Sequence, residues 1–227
     1  MSELDLIYKL APAPKLNGDN GGFEGYASVF HLLDYHNDIV APGAYKEDAP
    51  RFLKEGFIGG VGHDHSNPIG KPQRLFEDGY GLFLDALLVS TSKAQEAREL
   101  ITSDVVRKLS VGIMPMQVKT LRTKGEVIDY WKKAGWNPSD EEMLRAEHGA
   151  RVIKRAKLLE VSPVALPANE LSEITSYKSH SPDVLTDVFK RLDALEATVK
   201  RLTSVPDAEF EECEKLLQGF RDYIGVH

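Results

Sequence analysis

Short runs of alternating apolar and polar residues predict a domain built mainly from β-strands. The clearest run is 109–113, where Leu109, Val111 and Ile113 share one face of the predicted strand and Ser110 and Gly112 share the other. Residues 34–45 lack such a run and are predicted to be a loop. We predict strands at 4–10, 22–30, 57–65, 81–89, 108–119 and 157–166.

Capping patterns predict the helices of this domain. A short helix is expected over 45–55, ending before a glycine. The pairs Ser92–Gln95 and Ser139–Glu142 have the spacing of capping boxes and predict helices that end near 103 and 148. Residues 120–155 are predicted to be a hairpin plus a helix inserted between two core strands. The elements together favour an α+β fold.

The pattern changes after Tyr177. A proline follows a capping serine at Ser181, and apolar residues then alternate spacings of three and four. A second amphipathic helix is predicted after Pro206. We therefore predict a β-rich domain at 1–178 and a helical C-terminal tail at 179–227. The apolar seam of the first tail helix comprises Leu185, Val188, Leu192, Leu195, Val199 and Leu202.

Composition narrows the classes of protein to which the chain could belong. It has 227 residues and a formal net charge of −7, so a broad basic surface for nucleic acid is not expected. Its single cysteine, Cys213, excludes an internal disulfide and a zinc site made of several thiolates. The sequence predicts neither a membrane span nor a signal peptide. The single cysteine fits a reducing cytoplasm.

Three stretches carry the candidate chemistry. A serine attacks a carbonyl efficiently when a neighbouring base removes its proton and a third group orients that base. Ser110 offers the hydroxyl, His63 or His65 the base, and Glu160 the third group. Ser162 shares a face with Glu160 and is a second candidate nucleophile. A serine inside a strand is more often a small filler, and a carboxylate there either faces solvent or is paired.

The two histidines also allow a metal site. A His-x-His pair on a strand places two imidazoles on one face, and Glu160, Asp64 or His36 could supply further ligands. A metal-dependent hydrolase therefore stays an alternative at this point.

The ordered motifs His-Asp-His-Ser-Asn-Pro-Ile-Gly, Leu-Ser-Val-Gly and Leu-Leu-Glu-Val-Ser-Pro-Val-Ala-Leu-Pro-Ala-Asn resemble the prohead maturation proteases of tailed bacteriophages, of the lambdoid-phage type. The resemblance covers residues 20–178. It implies a serine protease similar in fold to herpesvirus assemblin, with a β-barrel-like core wrapped by helices. The implied role is to cut scaffolding segments from coat subunits, and then the protease itself, within the assembling prohead in the host cytoplasm.

The resemblance also assigns residues. Ser110 matches the nucleophile, and Glu160 matches the acidic position of the third motif. The histidine motif has two candidates, of which we prefer His65 as the base. Assemblin-like sites use a second histidine as the third member, so His63 could replace Glu160 in that role. Ile113 stands where an aromatic residue is frequent in the family.

The expected partners follow from the same resemblance. The substrates are the major capsid protein or a scaffolding segment, and the protease itself by self-cleavage. No cofactor, metal, nucleic acid or membrane is expected, and a homo-oligomer is left open. The alternative from another class is a non-catalytic assembly module that binds coat or scaffold subunits.

Overall fold

The computed structural model describes residues 21–178. The predicted strand at 4–10, the two tail helices, Cys213 and the boundary at 178/179 lie at or beyond the limits of this range and stay predictions. The described strands are β1 (Gly22–Val29), β2 (Asp38–Val40), β3 (Gly70–Glu77), β4 (Gly81–Leu88), β5 (Lys108–Leu121), β6 (Ala150–Val164) and β7 (Glu173–Lys178). The described helices are α1 (Ala49–Glu55), α2 (Ser92–Thr102), α3 (Lys124–Ala134), α4 (Asp140–Arg145) and a 3₁₀ turn (Ala146–His148).

The seven strands form one curled sheet in the order β2-β6-β5-β7-β1-β4-β3. Ile58 bridges the sheet outside these strands, because it pairs with Gly70 of β3 and with Val161 of β6. Its N–H donates to the Gly70 carbonyl at 2.9 Å, and the next N–H, of Gly59, donates to the Val161 carbonyl at 2.9 Å. The segment therefore joins an edge strand to the far side of the sheet. The predicted α+β class with a barrel-like core is confirmed.

Two apolar clusters hold this sheet and its helices. The larger cluster fills the inside of the curl and includes Phe23, Phe52, Leu109 and Val161, all of them buried. The smaller cluster lies under α3, where Trp131 is buried and its indole N–H donates to the carbonyl of His31 at 2.9 Å. Burial of such large side chains is the main favourable contribution to folding. The clusters fix the two long strands β5 and β6 that carry the site.

The region between β5 and β6 differs from its prediction. It contains the helix α3 where a hairpin was expected, and α4 follows as predicted from Ser139. Thr123 and Glu126 form a full capping box at the start of α3. The same serine/threonine-to-glutamate spacing identified α4, so the signal for α3 was present in the sequence.

Three strands were absent from the prediction. β2 lies inside the predicted loop at 34–45 and pairs in parallel with β6. β3 contains Pro72 and alternating polar residues, and a register shift follows that proline. β7 is short and largely exposed. Within 21–178, no helix is both long enough and apolar enough to cross a bilayer.

Candidate active site

The histidine-bearing segment is a turn, so the predicted strand at 57–65 is wrong. Only Ile58, Gly60 and Asp64 form isolated bridges there. Gly60 and Asp64 exchange backbone hydrogen bonds of 2.9 and 3.2 Å, which closes a tight turn between them. Gly62 and His63 occupy the left-handed region, with φ of 78° and 65°. The positive φ at His63, uncommon for a residue with a side chain, belongs to this turn and orients the imidazole.

The turn is docked on β6 by backbone hydrogen bonds. The N–H of Gly59 donates to the carbonyl of Val161, and the N–H of Gly62 donates to the carbonyl of Pro163 at 2.9 Å. Among the described residues, the Asp64 carboxylate makes no hydrogen bond to Glu160 or β6. It accepts hydrogen bonds from the backbone N–H of Ser66 at 2.9 Å and from the side-chain amide of Asn67 at 2.7 Å. The hydrogen bond from Asn67 lowers the pKa of the Asp64 carboxyl. Asp64 therefore organises the end of the turn.

Strands β5 and β6 bring the serine and the glutamate to one face of the sheet. Ser110 lies directly opposite Ser162, and Gly112 lies directly opposite Glu160. A register shift follows, because Ile113 pairs with Leu158 and leaves Leu159 without an opposite residue. A bulge of this kind changes which face the following side chains occupy.

Glu160 is a fully buried carboxylate with polar partners. Its Oε1 lies 2.6 Å from Nδ1 of His63, and its Oε2 accepts a hydrogen bond from the hydroxyl of Ser162, which is also buried. Nε2 of His65 is farther away, at 3.9 Å from Oε1. A buried carboxylate is costly unless it is paired and hydrogen-bonded, so these contacts account for its position in an apolar strand.

Two glycines make room for this carboxylate. A Cβ at Gly112 would lie 2.7 Å from Oε1 of Glu160, and a Cβ at Gly59 would lie 2.9 Å from Oε2 and closer still to the hydroxyl of Ser162. Both distances are shorter than real Cβ contacts, so any side chain at either position would displace the carboxylate. The sequence marked Gly112 only as a neighbour of Ser110.

A cavity of about 150 Å³ lies between Ser110 and the turn that carries His63. Ser110 and His63 both line it, whereas His65 does not. Ser110 is half-buried, and its hydroxyl makes no hydrogen bond within the described part of the chain. The other lining residues are Ala27, Ser28, Asp34, His36, Asp38, Val40, Val111, Ile113, Ile153, Ala168 and Asn169.

Two polar residues of this cavity were not singled out from the sequence. Burial raises the pKa of the Asp34 carboxyl, which accepts from the N–H groups of His36 and Asp38 at 2.8 Å each. Asn169 donates to the carbonyl of Val29 at 2.9 Å, and its own Oδ1 is buried without a protein partner. Asn169 ends the third sequence motif, and its position in that motif was the available signal.

The structure brings together three of the residues that the sequence offered as metal ligands. One ligand atom each from His63, His65 and Glu160 lies within 4.8 Å of the others. Within residues 21–178, these three residues are the group whose ligand atoms lie close enough together to hold a metal ion. Neither His36 nor Asp64 belongs to this group. The arrangement thus supplies a nucleophile candidate, two imidazoles and a buried carboxylate.

The chain matches a known protein family over most of its length. The family model described as caudovirus prohead serine protease matches residues 11–184. The chain is similar to the prohead protease of Enterobacteria phage HK97, with 33% identity over 97 residues. That alignment spans 42% of this chain and 43% of the relative, so it covers less than half of the relative's length.

Among solved structures, the chain has some similarity to KSHV protease in complex with a hexapeptide phosphonate inhibitor. The TM-score is 0.42 at 12% sequence identity, and the match covers 88% of this chain and 77% of the other.

Proposed function

The chain belongs to the caudovirus prohead serine protease family, and from this premise we propose that it is a serine endopeptidase of capsid maturation. The observation that carries the proposal is the hydrogen-bonded pair of His63 and the buried Glu160, placed beside the cavity that Ser110 also lines. A serine, an imidazole and a carboxylate are the three groups that such a peptidase needs.

In the proposed mechanism Ser110 is the nucleophile and His63 is the general base. The contact between Nδ1 of His63 and Glu160 leaves Nε2 free to take the proton from the serine hydroxyl. Oγ then bonds to the scissile carbonyl carbon, and the same proton passes to the leaving amine as the peptide bond breaks. Water hydrolyses the resulting acyl-enzyme by the reverse proton route.

Glu160 orients His63 and stabilises the imidazolium that forms. Its burial keeps water away from the carboxylate, which strengthens the electrostatic interaction between carboxylate and imidazole. Ser162 acts in this proposal as a donor to Glu160 and not as a nucleophile, because its hydroxyl is buried and committed to Oε2.

His65, preferred as the base from sequence, is outside the proposed relay. Its Nε2 lies 3.9 Å from Glu160, its side chain is 60% exposed, and it does not line the cavity with Ser110. His63 is closer to the carboxylate and shares the cavity with the serine, and this favours His63 as the base.

We further propose that the substrates are the coat protein or its scaffolding segment, and the chain itself, inside the assembling shell. The HK97 relative is named a prohead protease, and family membership extends that role to this chain as a proposal. The competing function is a non-catalytic assembly module that binds the same subunits without cutting them.

Coexpression with the coat protein of the same phage tests the two functions. The wild-type chain should yield shortened coat fragments on a gel, and Ser110→Ala should yield none. Ser176→Ala replaces an exposed serine of β7 and serves as the matched control, which should cut like the wild type. Intact coat protein that copurifies with the wild-type chain would contradict the peptidase and favour the assembly module.

A further inference from the structure

Three side chains, His63 and His65 from the turn and Glu160 from β6, place their ligand atoms close together. Nδ1 of His63 and Nε2 of His65 lie 2.6 and 3.9 Å from the same oxygen of Glu160, and all three atoms fit within 4.8 Å. The catalytic proposal uses only two of these groups. The position of His65 beside the same oxygen has no role in that proposal.

The spacing suits a transition-metal ion after small side-chain movements. Zinc binds histidine nitrogen and carboxylate oxygen at about 2.0–2.2 Å, which sets tetrahedral ligand atoms roughly 3.3–3.6 Å apart. Nδ1 of His63 would move away from Oε1 by about 0.7–1.0 Å, and Nε2 of His65 would move towards it by about 0.3–0.6 Å. Both side chains have room, since they are 41% and 60% exposed.

Glu160 provides the fixed side of this site. Its side chain is 1% exposed, and Ser162 holds the oxygen that does not face the histidines. Outer partners of this kind orient a ligating carboxylate and increase metal affinity. Two imidazoles and one carboxylate form a donor set found in zinc proteins, with a fourth position left for water.

We propose that His63, His65 and Glu160 bind one divalent transition-metal ion of the zinc class, and that this ion inhibits peptide cleavage. The inhibition rests on the proposed function, whereas the binding does not. A metal bound to Nδ1 of His63 and to Glu160 displaces the proton between them and removes both groups from the serine relay. The ion and the active triad therefore exclude each other.

Binding is tested by isothermal titration of Zn²⁺ into the full-length Ser110→Ala chain, which cannot cleave itself under the proposal. We expect one ion per chain, and at least a tenfold weaker affinity when His65→Gln is added. His148→Gln, a change at an exposed histidine outside the cluster, is the control and should leave the affinity unchanged. Absent binding, or equal binding by the His65→Gln chain, would overturn the site.

Inhibition is tested by cleavage assays with and without Zn²⁺. The wild type should lose activity with Zn²⁺ and regain it with a chelator, and His65→Gln should cleave in metal-free buffer and resist Zn²⁺. Activity that is unaffected or increased by Zn²⁺ would overturn the inhibition. A chain that binds Zn²⁺ but never cleaves would overturn the protease function and the inhibition together, and the metal site would stand.

Discussion

Gly112 lies directly opposite Glu160 in the antiparallel pair of β5 and β6, and the missing side chain leaves the space that Oε1 of the carboxylate occupies. The serine two residues earlier faces the same side of the sheet. The glycine of the Leu-Ser-Val-Gly motif thus supports the position of the carboxylate, and through it the position of His63.

The first prediction follows from this contact. Gly112→Ala places a Cβ 2.7 Å from Oε1 of Glu160 and should lower kcat by about 10- to 100-fold, because a displacement of roughly 1 Å in a catalytic group can cost that much. KM should change little. Gly79→Ala is the matched control, since a Cβ there meets no atom within 4 Å. Equal kinetics for the two variants would contradict the role given to Gly112.

The second prediction separates the two histidines. His63→Ala should lower kcat by at least about 10³-fold, because the members of a triad act as one unit. His65→Ala should cost less than about tenfold in metal-free buffer, equivalent to under about 1.4 kcal/mol. Both are measured as single-turnover cleavage of a coat-derived peptide. A large loss in His65→Ala with a small loss in His63→Ala would restore His65 as the base.

The third prediction concerns Ser162. Ser162→Ala removes the donor to Oε2 of Glu160, and hydrogen bonds to charged groups contribute about 1.5–3 kcal/mol. We expect kcat to fall by about 10- to 100-fold, with a residual activity that Ser110→Ala lacks. Complete loss in Ser162→Ala with activity retained in Ser110→Ala would make Ser162 the nucleophile.

The fourth prediction is a pH dependence of folding at His31. Burial lowers the pKa of His31 below its ordinary value of 6.5, and its Nδ1 lies 2.9 Å from the hydroxyl of Tyr130. The pKa of Tyr130 is raised to about 12, so this neighbour stays neutral. Between 6.5 and the lowered pKa the unfolded chain binds more protons, so the free energy of unfolding falls as pH falls through that window.

Removing His31 should remove this pH dependence. An asparagine side chain tolerates the positive φ of 66° at this position, so His31→Asn is the variant of choice. Both chains carry Ser110→Ala, and their free energies of unfolding are measured in urea. The stability advantage of the chain that keeps His31 over the His31→Asn variant should shrink as pH falls from about 7.5 to about 5. An advantage that is constant over this range would contradict a half-buried imidazole that is neutral in the folded chain.

Alternating apolar residues identified much of the core of the sheet, but β6 begins at Ala150 and not at the predicted start, 157. β1, β4 and β5 were predicted within two residues of their ends, because their inward faces bury Phe23, Leu84 and Leu109. β3 and β7 carry polar, partly exposed residues and owe their structure to pairing with neighbouring strands. Pairing over long sequence distances leaves no local pattern, so these strands could not be predicted in the same way.

The candidate site was predictable in its residues and not in its geometry. Ser110, His63, His65 and Glu160 were all candidates from sequence, but the preference for His65 relied on its nearness to the predicted turn at 67–70 and to the mouth of the sheet. The left-handed backbone at His63 comes from a turn held by two carbonyls of β6, which is distant in the sequence. The hydrogen bond from Ser162 to Glu160 likewise depends on side-chain packing, which the spacing of residues along the sequence does not encode.

The most direct measurement of the central claim is covalent labelling of the nucleophile. A peptide organophosphonate should bond to Oγ of an activated serine with loss of its leaving group, and peptide mass spectrometry then locates the adduct. We predict one adduct per wild-type chain, on Ser110, and none when His63→Ala removes the base. An adduct on Ser162 or on another residue, or labelling of Ser110 that is undiminished in His63→Ala, would contradict the account.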